Sequence, residues 1–109
     1  MEEARPLVVV DAENARRSRW PNLSKDALLE RARRWAKREG VDLMVVFDGR
    51  STDEATDVVW APHADDEIVR IVEDHNGPIW LVTSDRELRQ RTGDRAAKTF
   101  GGGGFLGQI

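Results

Sequence analysis

The sequence contains no cysteine. That absence excludes disulfides and thiolate zinc sites and fits a reducing compartment, so a cytoplasmic location is expected. No apolar run approaches the ~18 residues of a membrane-spanning helix, and the N-terminal stretch MEEARP is charged, so neither a membrane span nor a signal peptide is expected. Charge of one sign is also lacking. There are 17 Lys and Arg against 20 Asp and Glu, a net charge of −3, which is not the bulk positive charge of many nucleic-acid-binding domains. An acidic metal site with a basic rim would give the same balance. No internal repeat is present. What remains is a chain of 109 residues, 39% hydrophobic, the size of one domain with a real but modest core.

The pattern along the chain alternates between two periods. Residues 7–10, 42–47 and 79–83 are short, apolar and rich in Val, Ile and Leu, which predicts strands. They do not alternate with polar residues, as expected of strands covered on both faces. Ser24 is an N-cap for a helix with Leu28, Ala32 and Trp35 on one face and Arg33, Arg34 and Lys37 on the other, stopped at Gly40. A second helix is expected over 64–75, and a third, short one from the SDRE capping box, with Ser84 as N-cap and Glu87 at N3. DVVW and AAKTF are weaker strand candidates. Residues 12–23 and GRSTDEAT are expected to be loops, and 101–109 a flexible Gly-rich tail. The result is an α/β fold, a three-layer α/β/α arrangement around a mostly parallel sheet, in a single domain over 1–109.

The strong strands each run into an aspartate: LVVVDAEN into Asp11, LMVVFDG into Asp48, IWLVTSD into Asp85. In a parallel sheet these C-terminal ends share one edge, where ligands bind. The stretch ADDE adds Asp65 and Asp66 at a helix start near the same edge. Two carboxylates about 5 Å apart repel by roughly 3 kcal/mol at an effective dielectric near 20, and a divalent cation removes that repulsion. Oxygen ligands without cysteine suit Mg²⁺ or Mn²⁺, and such an ion can orient water for attack on a phosphodiester. Each acid also has a local reading as a turn or cap residue, most directly Asp85 within SDRE and Asp65–Asp66 at the helix dipole.

VVVDAEN, VVFDG, ADDEIVRIV and LVTSDRELR, in this order over roughly residues 7–100, resemble the successive motifs of the YacP-like NYN domain of the PIN-like ribonuclease superfamily. Ala12 and Glu13 stand where Gly and an aromatic residue are common in that family. The resemblance implies a PIN-like fold and a metal-dependent endoribonuclease. It implies Asp11, Asp48, Asp65 and Asp85 as catalytic, Asp11, Asp65, Asp66 and Asp85 as metal ligands, Asn14 in the first motif, and Thr83 and Ser84 beside the metal. RNA, including mRNA on the ribosome, is the expected partner.

Arg16, Arg17 and Arg19 are candidates to grip phosphates from the long segment 12–23, with Arg86 a further candidate ahead of Arg89. Trp20 either stacks on a base or packs back as a lid on the first long helix. Trp35 and Trp80 are expected in the core. The stripe Arg33, Arg34, Lys37, Arg38 reads as a solvated helix face, with Glu30–Arg34 an i,i+4 pair. His63 and His75 read as helix-end residues, not bases. Two other classes compete with the nuclease. One is a non-catalytic RNA- or ribosome-binding module on the same fold. The other is a phosphotransfer or receiver domain, which would require Asp-x-Asp at the first strand, or an acidic pair and a late Lys that this chain does not place suitably.

Overall fold

A computed structural model describes residues 5–51 and 55–109. Residues 1–4 of the charged N-terminus and 52–54 of the expected loop lie outside the described residues. Five strands, β1 Leu7–Asp11, β2 Asp42–Asp48, β3 Val58–Ala61, β4 Ile79–Val82 and β5 Ala96–Phe100, form one sheet in the order β3-β2-β1-β4-β5. Every pairing is parallel. Leu7 lies opposite both Asp42 and Ile79, so β1 is central and paired on both sides. That explains its unbroken burial: a central strand has no solvent-facing side on which a polar residue could alternate.

The helices are α1 Ala12–Arg16, α2 Lys25–Glu39, α3 Ala64–Asp74, α4 Arg86–Thr92 and α5 Gly102–Leu106. The two-residue period of β1 separates the core into two layers. Val8 and Val10 pack with Leu28, Ala32 and Trp35 of α2, Ala15 of α1 and Phe105 of α5. Leu7 and Val9 pack with Ile68 and Val72 of α3 and Leu88 of α4. The expected three-layer α/β arrangement is therefore present. No described helix is long and apolar enough to cross a membrane.

Ser24 caps α2 by accepting from the Ala27 amide, and Gly40 ends it in the left-handed conformation (φ 68°) that glycine adopts without strain. Arg34 pairs with Glu30 at 2.8 Å on the solvated face, as the spacing indicates. Trp35 is buried, and Trp80 is half-buried beneath Lys98.

Three expectations need correction. The loop 12–23 begins with the helical turn α1, since Ala12 and Ala15 find apolar cover. The cap of α4 is Asp85, not Ser84: Asp85 Oδ1 accepts from the Leu88 amide, while Ser84 Oγ turns away to accept from the Gly102 amide. The segment read as a flexible tail carries α5, anchored by Phe105, which is fully buried and meets Trp35 edge-on at 5.1 Å. Poor helix formers fold here because tertiary packing outweighs propensity.

Two of those glycines should respond oppositely to alanine. A Cβ on Gly102 would come within 2.9 Å of Asn14 Oδ1 and 3.2 Å of the Ala15 backbone, whereas Gly104 has open space around it. Gly104→Ala should raise stability by about 0.5–1 kcal/mol, from helix propensity alone. Gly102→Ala should lower it and loosen α5 from α1. Urea denaturation of both variants tests the pair.

Candidate functional site

The chain leaves β1 toward β2 and β3 on one side, then returns past β1 to β4 and β5 on the other. The strand order thus reverses between β1 and β4, and at such a switch point the loops part and leave a crevice at the C-terminal edge. A cleft of about 580 Å³ opens there, lined by Asp11, Asp48 and Asp85 together with Asn14, Arg17 and Ser84.

Among the described residues Asp11 is the acid most removed from water, 5% exposed at the end of β1. Thr83 Oγ1 donates to its Oδ2 at 2.9 Å, and the same hydroxyl accepts from the Asp85 amide at 3.1 Å. Thr83 therefore couples the end of β1 to the turn after β4. The Asn14 amide lies near enough to favour the charged form of Asp11 without making a full capping bond to it. Burial nevertheless prevails. It pushes the Asp11 carboxyl up to about 6, against the Thr83 hydrogen bond and with the added repulsion of Asp65 and Asp48.

Thr83→Val removes a buried donor and a buried acceptor at once. It should cost about 1–3 kcal/mol in thermal unfolding and push the Asp11 carboxyl further up, because the opposing hydrogen bond is gone.

Asp48, Asp85 and Asp66 have local partners. Asp48 Oδ1 accepts from the Ala64 amide at 3.0 Å, so it ties the end of β2 to the start of α3. Asp85 caps α4. Asp65 and Asp66 line an adjoining smaller cleft with Asp48 and His63. Burial raises the Asp65 carboxyl, and the charges of Asp85 and Asp48 add to the rise, with Arg91 opposing. Asp66 is held by Arg91 at 2.6 Å. The acids therefore share one edge and feel one another's charge. Yet among the described residues no group of three or more His, Asp or Glu side chains converges closely enough to hold a metal ion by itself.

No family model, no curated protein and no solved structure matches the chain. Its residues alone define the site.

The other residues expected at the site are placed differently from one another. Asn14 points its Oδ1 at the Ser84 amide, 2.9 Å away, and so pins the rim of β4 to α1. Arg17 lines the cleft, and its side chain is well exposed. Arg16 is mostly buried against Glu13 at 3.4 Å, and Arg19 donates to the Gly103 carbonyl at 3.1 Å, so both are committed to the fold. Trp20 is 88% exposed, which removes its reading as a lid packed on α2. Arg86 is exposed on the first turn of α4, whereas Arg89 turns inward to the Thr83 carbonyl with two hydrogen bonds. His63 and His75 sit at the two ends of α3, as expected.

Glu13 and Gly103 also line the cleft, and the sequence alone does not single them out. Glu13 lies within 4 Å of Arg16, Arg17 and Lys25, so its charge is balanced. The i+3 and i+4 arginines after Glu13 are the available signal once residues 12–16 are helical. Nothing local marks Gly103, which reaches the cleft only because α5 folds back.

Proposed function

We propose that the protein is a divalent-metal-dependent endoribonuclease that cleaves RNA phosphodiester bonds at this acidic edge. The observation that carries the reading is the cleft itself: Asp11, Asp48 and Asp85 line it together, at the switch point of a parallel sheet, with Asp11 unfavourably buried. An all-oxygen donor set suits Mg²⁺ or Mn²⁺. Mg²⁺ commonly keeps several waters and takes only one or two carboxylates, so carboxylates that do not close into a cage still fit it. Asp11, Asp65 and Asp85 would hold the ion, with Asp48 in support and Asp66 drawn aside by Arg91. A bound ion supplies charge neutralisation and orients water and phosphate for in-line displacement.

The chain's own residues do the rest. Thr83 fixes the Asp11 carboxylate, and Ser84 fixes the Asn14 carbonyl oxygen, which leaves the Asn14 side-chain amide to donate. Arg17 meets a phosphate in the cleft, Arg86 meets one beyond it, and Trp20 offers a face for an unpaired base. RNA in the cytoplasm, mRNA on the ribosome included, is the partner that this reading implies.

A second reading, a non-catalytic RNA- or ribosome-binding module, is favoured by the lack of a metal-holding acid group among the described residues. Cleavage of single-stranded and structured RNA in Mg²⁺, Mn²⁺ or chelator separates the two. In Asp85→Asn the amide oxygen can still cap α4, so the fold should persist while cleavage falls by at least about 100-fold, beyond what loss of an outer-shell partner costs. Tight RNA binding without cleavage in any metal selects the second reading.

A further inference from the structure

A second cavity, of about 460 Å³, lies beside the acidic cleft at the junction of β2, β3 and α2. Among the described residues its wall includes Lys25, Asp26, Leu29, Arg33, Phe47, Arg50 and Trp60. Phe47 and Asp48 end β2 on opposite faces of the sheet, Phe47 toward α2 and Asp48 toward α3. Lys25 is what links the cavity to the cleft: it lies 3.9 Å from Glu13 of the acidic cleft and 5.0 Å from the centre of the Trp60 ring.

The aromatic pair is preset. Trp60 lies nearly parallel to the fully buried Phe47, at 19° and 4.7 Å between centroids, and only Trp60 retains some exposure. A ring held flat in advance loses little freedom when a ligand stacks on it. Arg33 is occupied by both oxygens of Asp57, at 2.7 and 2.9 Å, so it stiffens the wall. Lys25 and Arg50 are the cations placed to meet an anion. A flat aromatic surface joined to cations, with a volume suited to a base and its sugar, matches the chemistry of a nucleotide.

We propose that this cavity is a nucleotide subsite, in which the indole of Trp60 stacks on one unpaired base of the bound RNA and Lys25 and Arg50 take the adjoining phosphate. The inference rests on RNA being the ligand of the acidic cleft, and it adds that the strand is single-stranded where it passes β2. Paired bases cannot offer a face to Trp60.

Adenosine 5′-monophosphate, which has no internucleotide bond to cleave, is the probe. In ¹H–¹⁵N spectra of the full chain the four tryptophan indole signals are assigned by single Trp→Phe variants. Titration should shift the Trp60 indole and leave that of the buried Trp35 in place. Arg50→Glu, a change at an exposed position, should weaken binding several-fold with unchanged thermal unfolding. Trp60→Leu should weaken it about tenfold or more. If Trp60→Leu fails to fold, Arg50→Glu carries the test.

Shifts confined to Trp20, or an affinity untouched by Arg50→Glu, overturn the subsite. If metal-dependent RNA cleavage persists alongside either result, the nuclease reading stands without the subsite. Absence of cleavage with an intact Trp60 response does the reverse.

Discussion

Asp11→Asn is expected to raise the stability of the metal-free protein by about 3 kcal/mol at pH 7 and to abolish RNA cleavage. The stability figure follows from the carboxyl being pushed from 3.8 to about 6, since each tenfold change in a proton-binding equilibrium is worth about 1.4 kcal/mol. Between pH 4 and 6 the folded protein keeps a proton on Asp11 that the unfolded chain has already released. Stability therefore falls as pH rises through that window, and the loss is complete above about pH 6. Asparagine cannot ionise, and it retains an oxygen to accept the Thr83 hydroxyl, so the variant should lack that decline. At pH 4 the two proteins should be nearly equal. Urea denaturation in chelator from pH 4 to pH 8 measures both the gap and its pH dependence. A variant that is less stable than the parent at pH 7 would make Asp11 a structural residue.

Asp11 is the informative acid because burial outweighs its one partner, Thr83, whereas Asp48 and Asp85 have local employment. Asp48 accepts from the Ala64 amide and Asp85 from the Leu88 amide. Either would be retained in a protein with no ligand at all. Asp11 occupies the N-cap position of α1 without a full capping bond, is nearly sealed from water, and is opposed by Asp65 and Asp48. A group that costs the fold stability in the absence of a cation is the one from which a cation gains most.

Phe105→Ala should have an effect as large, in the opposite direction. Phe105 is fully buried, meets Trp35 edge-on at 5.1 Å and lies 6.4 Å from Phe100. Removing a buried phenylalanine costs about 3–5 kcal/mol, from lost transfer energy and the cavity left behind. α5 would lose its anchor, and with it the Gly103 contribution to the cleft and the Gly102 amide that holds Ser84. Thermal unfolding decides the matter. A change within about 0.5 kcal/mol, typical of exposed positions, would return residues 101–109 to the status of a tail.

The contrast between these positions shows what the sequence made legible. Apolar runs within 7–10, 43–47 and 79–82 revealed a sheet covered on both faces, and the terminal aspartates followed from the shared direction of its strands. Those signals are local and repeat. α2 was visible from its cap, its stripe and Gly40, all within one helix length. The edges of the fold were less legible. Four consecutive glycines carry no helical propensity, and long-range contacts bring α5 into the core, foremost those of Phe105 with Trp35 and Phe100. In SDRE, Ser84 and Asp85 are both good caps. The choice depends on Gly102, 18 residues on, which takes the serine hydroxyl.

The acids that line the cleft were legible in the sequence, and their spacing was less so. Strand order brings Asp11, Asp48 and Asp85 to one cleft, but Arg91 draws Asp66 aside, and the three loop arginines pair with Glu13 or the Gly103 carbonyl, Arg17 alone keeping a well-exposed side chain in the cleft. Such pairings arise between segments far apart in the chain, or from a short helix that the sequence did not announce.

Crystals grown with Mn²⁺ and measured at the manganese edge test the central claim most directly. The expected result is an anomalous peak in the cleft between β1 and β4, with Asp11 and at least one of Asp48, Asp65 and Asp85 facing it directly or through water. A fully occupied Mn²⁺ elsewhere on the surface, with that cleft empty, would contradict it.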